Sequence, residues 1–125
     1  MTTIHARAPL RTTAGQNARE HHFARARRVK AEREAISWAL ATTRPPAGPV
    51  HVLMVRVAPP GATGRWVPLD KHDNLRGSLK APVDAVAEWL GRDDADPSIT
   101  WEYGQRQGDK GEWAVEIHVS EAAQP

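Results

Sequence analysis

Hydrophobic and polar positions alternate along this chain with two periods, and they divide it into helical and extended stretches. Leu75, Leu79, Val83, Val86 and Leu90 recur at helical spacing and predict a core-facing stripe on a helix over 73–90. Pro82 interrupts it. Proline lacks an N–H and clashes one turn back, so either the helix kinks or a short turn over 73–79 precedes a main helix starting near Ala81. Gly91 supplies the stop. A second helix is expected from about Asn17, where Glu20 completes a capping-box spacing, to about Thr42. His22, Ala26, Val29, Ile36 and Leu40 form its row, interrupted by Arg33. VHVLMVRV at 50–57 is apolar at both phases of a strand, as an interior strand requires. Residues 99–107 and 113–119 alternate with period 2 and predict half-buried strands, joined through Gly108-Asp109-Lys110-Gly111 as a hairpin. A short edge strand is expected over 65–69, held to an edge by Pro68.

The remaining segments connect these elements. Residues 1–15 lack periodicity and read as a flexible, partly extended leader; RPPAGP at 44–49 is a stiff connector; residues 121–125 read as a frayed tail. The expectation is an α+β fold in one domain over 16–120. It has a basic N-terminal helix, a small mixed or antiparallel sheet, and an Asp-bearing helix packed on that sheet.

Charge changes this picture more than composition does. The net charge of +2 conceals an asymmetry. Residues 1–44 hold nine Lys/Arg against three Asp/Glu, and residues 45–125 hold eight against twelve. A basic arm joined to an acidic region suits a metal-dependent enzyme acting on a polyanion. Arg19, Arg25, Arg27, Arg28 and Lys30 lie on the side of the first helix away from its apolar row, where several can meet phosphates at once. The competing view is a surface helix with arginines for solubility. The adjacent His21 and His22 point about 100° apart on a helix and share no face, which excludes a paired metal site there. With no cysteine, disulfides and thiolate metal sites are excluded. No run reaches a membrane span and no signal-peptide core opens the chain, so the expected location is cytoplasmic. The five Trp are expected as core and interface anchors.

Candidate chemistry concentrates in LDKHDNLRGSLKAPVDAVAEWLGRDDAD at 69–96, which holds seven of the fifteen acidic residues. Asp73, Gly77, Lys80 and Asp84 form a second stripe beside the apolar one, Asp70 precedes the helix, and Asp93, Asp94 and Asp96 follow it. Such a layout can bring three carboxylates to one point, as a hard divalent cation requires. The plain alternative is a solvated amphipathic helix with an acidic loop at each end. Asp84, one turn from Lys80, reads as its ion-pair partner, and Asp96 belongs to the turn before Pro97.

DNL at 73–75, Lys80 four residues before Asp84, and the Asp93-Asp94 pair together resemble the RusA-type Holliday junction resolvases of phages and prophages. The resemblance covers about residues 69–119. It implies Asp73 and Asp94 as metal-binding catalytic carboxylates and Lys80 as the lysine needed for activity. The family's outer acidic residue stands two before the DNL Asp; here Lys71 holds that position, and Asp70, three before, is the nearest carboxylate. The segment between DNL and Lys80 is also longer than in the best-known member. The implied function is Mg²⁺-dependent paired nicking of four-way DNA junctions by a homodimer, in DNA recombination and repair. On this reading Asp70, Asp73 and Asp94 hold Mg²⁺, Lys80 faces phosphate or the activated water, and Asp93 is the reserve for Asp94. Two alternatives stand beside it: a catalytically impaired relative that still binds DNA, and a small structural or adaptor protein.

Overall fold

The computed structural model describes residues 3–13, 21–70 and 74–122. Among these residues, four strands and three helices follow in the order β1 (Thr3–Ala8), α1 (His22–Leu40), β2 (Val50–Ala58), α2 (Asn74–Ser78), α3 (Lys80–Leu90), β3 (Ile99–Gln107) and β4 (Ala114–Glu121). The strands form one mixed sheet in the order β1-β4-β2-β3, with helices packed on it, so the α+β expectation holds.

β2 is central, as its two-sided apolar pattern demands. It pairs with β3 in parallel from Val50↔Ile99 to Ala58↔Gln107, and with β4 antiparallel from Val50↔Glu121 to Val57↔Ala114. Parallel neighbours need a long crossover, and the segment carrying α2 and α3 supplies it. Val50, Val52 and Met54 are fully buried beneath the helices, whereas His51, Leu53 and Val55 on the opposite face are only half-buried.

The expected hairpin between β3 and β4 does not form, because β2 lies between them. The Gly108 N–H donates to Ala58 O at the end of β2, so the chain passes over that end and returns on the far side. The turn signal at 108–111 was real, but period-2 patterns say nothing about which strands pair. Burying the most apolar strand in the middle decided the order.

Residues expected as a flexible leader instead supply the edge strand β1, paired with β4 from Thr3↔Ser120 to Ala8↔Val115. Ile4, Ala6 and Ala8 alternate toward the core. Two of the three are alanine, too small to give the stretch a strong strand signal. Residues 65–69 form no strand. At the other end, Glu121 and Ala122, expected in the frayed tail, are held: β4 runs to Glu121 and Ala122 N–H bonds to Pro49 O, while residues 123–125 lie outside the described residues.

α1 starts at His22, with the His21 side chain accepting from Phe23 N–H. The capping box expected at Asn17 and Glu20 lies outside the described residues. The expected row holds at its C-terminal end, where Ile36 and Leu40 are fully buried with Glu32 one turn before them, but not at His22 and Ala26, which are exposed.

The helix expected over 73–90 is two helices. α2 ends at Ser78, and Leu79 (φ −102°, ψ 5°) separates it from α3. Pro82 is then the third residue of α3, where its missing N–H leaves no intrahelical bond unmade. Gly91 ends α3 in the left-handed conformation, φ 71°.

Candidate functional site

The segment entering α2 is fastened by a side chain that acts as a strand would. Gln105, on the inward face of β3, accepts from Leu69 N–H at 2.9 Å and donates to Leu69 O at 2.7 Å. One carboxamide thereby satisfies both backbone groups of the residue before Asp70. Asp70 O in turn accepts from Leu75 N–H at 2.9 Å. The Asp70 carboxylate caps α2, accepting from Asn74 N–H at 3.3 Å and from the Asn74 side-chain amide. The Asn74 side chain thus orients the Asp70 carboxylate.

The break at Leu79 puts Lys80 in the first turn of α3. From there its Nζ donates to Asp84 Oδ1 at 3.1 Å and to Asp94 Oδ2 at 3.3 Å. Lys80 and Asp94, fourteen residues apart, are thus brought into contact; the Asp84 pairing is the expected one-turn ion pair. These hydrogen bonds, Asp84 first, raise the Lys80 ammonium above its usual value. The Lys80 hydrogen bond, followed by one from Asp93, holds the Asp94 carboxyl below the usual carboxylate range. Both groups are therefore charged at neutral pH.

Trp101 on β3 donates from its indole Nε1 to Asp94 O at 2.8 Å and fixes the backbone of the Asp-Asp pair. Asp93 Oδ1 accepts from Ala95 N–H, and Asp96 accepts from both the N–H and the hydroxyl of Ser98. Asp93 and Asp96 therefore shape the turn, as expected for Asp96. Arg92 braces the same loop from behind, donating to Pro46 O, Gly48 O and the Ser98 hydroxyl. On α2, the Arg76 guanidinium lies 5.0 Å from the centre of the Tyr103 ring.

Of the four predicted catalytic residues, Lys80 and Asp94 touch, Asp70 stands at the start of α2, and Asp73 lies outside the described residues. Among the described residues, no group of three or more His, Cys, Asp or Glu is placed to hold a metal ion. Gln105, Trp101 and Arg76 were missed by sequence reasoning. A polar Gln in the inward row of a strand was a readable sign, because a buried amide needs partners.

The basic residues of α1 separate. Arg19 lies outside the described residues, and Arg25, Arg27 and Lys30 are exposed. Lys30 stands 4.0 Å from Glu34, while Arg28, half-buried, bonds to the buried Glu32. Arg28 therefore belongs to the inward side of the helix, not to its outer basic face.

No protein-family model matches the chain, and no curated protein resembles it closely enough to count as a relative. Among the described residues no helix is long and apolar enough to cross a membrane.

Proposed function

We propose that this protein is a Mg²⁺-dependent endonuclease that nicks four-way DNA junctions as a homodimer, with Asp70, Asp73 and Asp94 as the carboxylates and Lys80 as their cationic partner. The observation that carries the proposal is the contact between Lys80 and Asp94, which brings together the lysine and the Asp-Asp pair of the sequence pattern. The donor set is carboxylate only, the kind that a hard cation accepts while keeping several waters. When bound, Mg²⁺ would neutralise charge on the scissile phosphate and provide an activated water. The chain's own groups do the rest. Lys80 presents an ammonium toward a phosphate oxygen. Gln105 and Trp101 hold Leu69 and the Asp94 backbone, so the two carboxylate-bearing segments keep a fixed spacing. The exposed Arg25, Arg27 and Lys30 favour a phosphate backbone over a neutral ligand.

The test is cleavage of a labelled four-way junction with and without Mg²⁺, using wild type, Asp73→Asn and Asp94→Asn. Nicking that needs Mg²⁺ and is lost in both variants supports the site. Nicking in excess chelator, or robust nicking by either variant, overturns it. One observation favours a second reading, an impaired relative that binds junctions without cutting: both Asp70 carboxylate oxygens are engaged by Asn74 as a helix cap. Asp70→Asn decides its part, since a ligand's loss should equal that of Asp73, whereas a cap's loss should leave nicking intact.

A further inference from the structure

On the helix-covered side of the sheet, Arg11, Thr12, Thr13, Arg28, Arg56 and Trp113 line a pocket of about 430 Å³. It holds three guanidinium groups. Arg56 is the unusual one: it sits on β2, faces the core side, and is only 6% exposed. Its Nε donates to the Thr12 hydroxyl at 3.0 Å, but its Nη1 is buried with no hydrogen-bond partner among the described residues. Among the described residues no carboxylate pairs with it, and burial pulls its guanidinium below the ordinary value. A buried charge left in this way is costly unless an opposite charge arrives.

The other groups are arranged around that deficit. The Trp113 ring lies 5.0 Å from the Arg11 guanidinium carbon and 5.7 Å from that of Arg56, so one indole steadies two cations. The Thr12 hydroxyl accepts from Arg56 and keeps its own proton to donate. Arg28 is already bonded to Glu32, which leaves Arg11 and Arg56 as the principal charge of the pocket. Guanidinium forks around a small pocket match the oxygens of a tetrahedral anion.

We propose that this pocket seats one backbone phosphate of bound DNA, away from the reacting carboxylates. The register supports a continuous path, because Arg56 stands directly beside Gln105, which clamps Leu69 ahead of Asp70. The choice of DNA as the source of the phosphate rests on the function proposed above.

The experiment measures binding of an unlabelled-sequence panel of four-way junctions in excess chelator, over a range of salt concentrations. It compares wild type, Arg56→Met, Arg11→Gln and, as control, Arg44→Gln, which is exposed on the connector after α1. In parallel, inorganic phosphate is titrated against wild type while the arginine Nε–H resonances are followed. The expected result is that the Arg56 resonance moves saturably with phosphate. Arg56→Met and Arg11→Gln should each lower the slope of log affinity against log salt by about one, equally for all sequences. The control should keep the wild-type slope. Wild-type slopes in both pocket variants overturn the proposal. So does a resonance that responds to phosphate while the DNA slopes stay unchanged, since the pocket then serves free phosphate. Should Arg56→Met not fold, the surface residue Arg11 carries the test. A wild type that shows these slopes but never nicks with Mg²⁺ sinks the nuclease reading and leaves the phosphate seat standing.

Discussion

Replacing Gln105 by Ala should separate what holds the site from what holds the fold. The substitution removes two hydrogen bonds, at 2.9 and 2.7 Å, that tie Leu69 to β3. A neutral hydrogen bond contributes a net of about 0.5–1.5 kcal/mol, so the pair is worth about 1–3 kcal/mol. Leu69 is only half-buried and its neighbour Asp70 is exposed, so water can replace part of the loss. The expected destabilisation is therefore about 1–2 kcal/mol. With a urea dependence near 2 kcal/mol per M, the unfolding midpoint falls by about 0.5–1 M. The effect on the site should exceed the effect on the fold. Asp70 follows directly on the clamped residue, and if it is a metal ligand, as proposed, loss of its support should cost about 10–100-fold in metal affinity or activity. Two assays are needed, urea unfolding and the Mg²⁺ concentration giving half-maximal junction nicking. Gln105→Glu is the companion, since it keeps an acceptor for Leu69 N–H but sets a carboxylate against Leu69 O. An unchanged midpoint in Gln105→Ala would show that the clamp contributes nothing. A lowered midpoint with the Mg²⁺ dependence of wild type would show that it does not position Asp70.

Other consequences follow from single contacts. Arg92→Ala removes two hydrogen bonds from the loop after α3 to the connector before β2 and one within that loop, to Ser98, and should lower stability by about 2 kcal/mol in urea unfolding. Gly91→Ala forces a side chain into φ 71° and should lower it by about 1 kcal/mol, although the added Cβ meets no neighbour. Pro82→Ala, by contrast, should change the midpoint little, because Pro82 breaks no helical bond. Glu116 accepts from Arg106, which holds its carboxyl below the ordinary 4.5. Its folded value is the lower one, so its stabilisation is present above about 4.5 and is lost as pH falls through the folded value. Glu116→Gln should therefore lower stability at neutral pH and flatten the acid limb of midpoint against pH.

Sequence reading succeeded wherever a residue acts through its own segment. The two-sided apolar pattern of β2 marked a central strand, and Pro82 marked a break whose second option, a short turn followed by a main helix, is the one adopted. It failed wherever the answer depended on another segment. Nothing local in 99–119 says that β2 will come between β3 and β4. Nothing in TIHARA predicts an edge strand until β4 offers it a partner. Arg28 looks like one more base on a basic helix until Glu32 is seen to be buried one turn away. The site divides in the same way. The Lys80–Asp84 pair follows from spacing, whereas Lys80–Asp94 needs the loop after α3 to fold back.

Lys80 also breaks a local rule, and that bears on its role. The N-terminus of a helix carries partial positive charge, so anions are favoured there and a cation costs about 0.3–1 kcal/mol. α3 has no acidic residue in its first turn and begins with Lys80. Stability alone would place an Asp or Glu at that position. The cost is offset only because Asp84 and Asp94 converge on the ammonium, and this pairing leaves an exposed cation beside a helix end that itself attracts anions. Two positive sources pointing at one place would favour a phosphate there, as the proposed function requires. Local choices that work against the helix they sit in are expected at functional sites, and α3 makes its one such choice at the lysine of the proposed site.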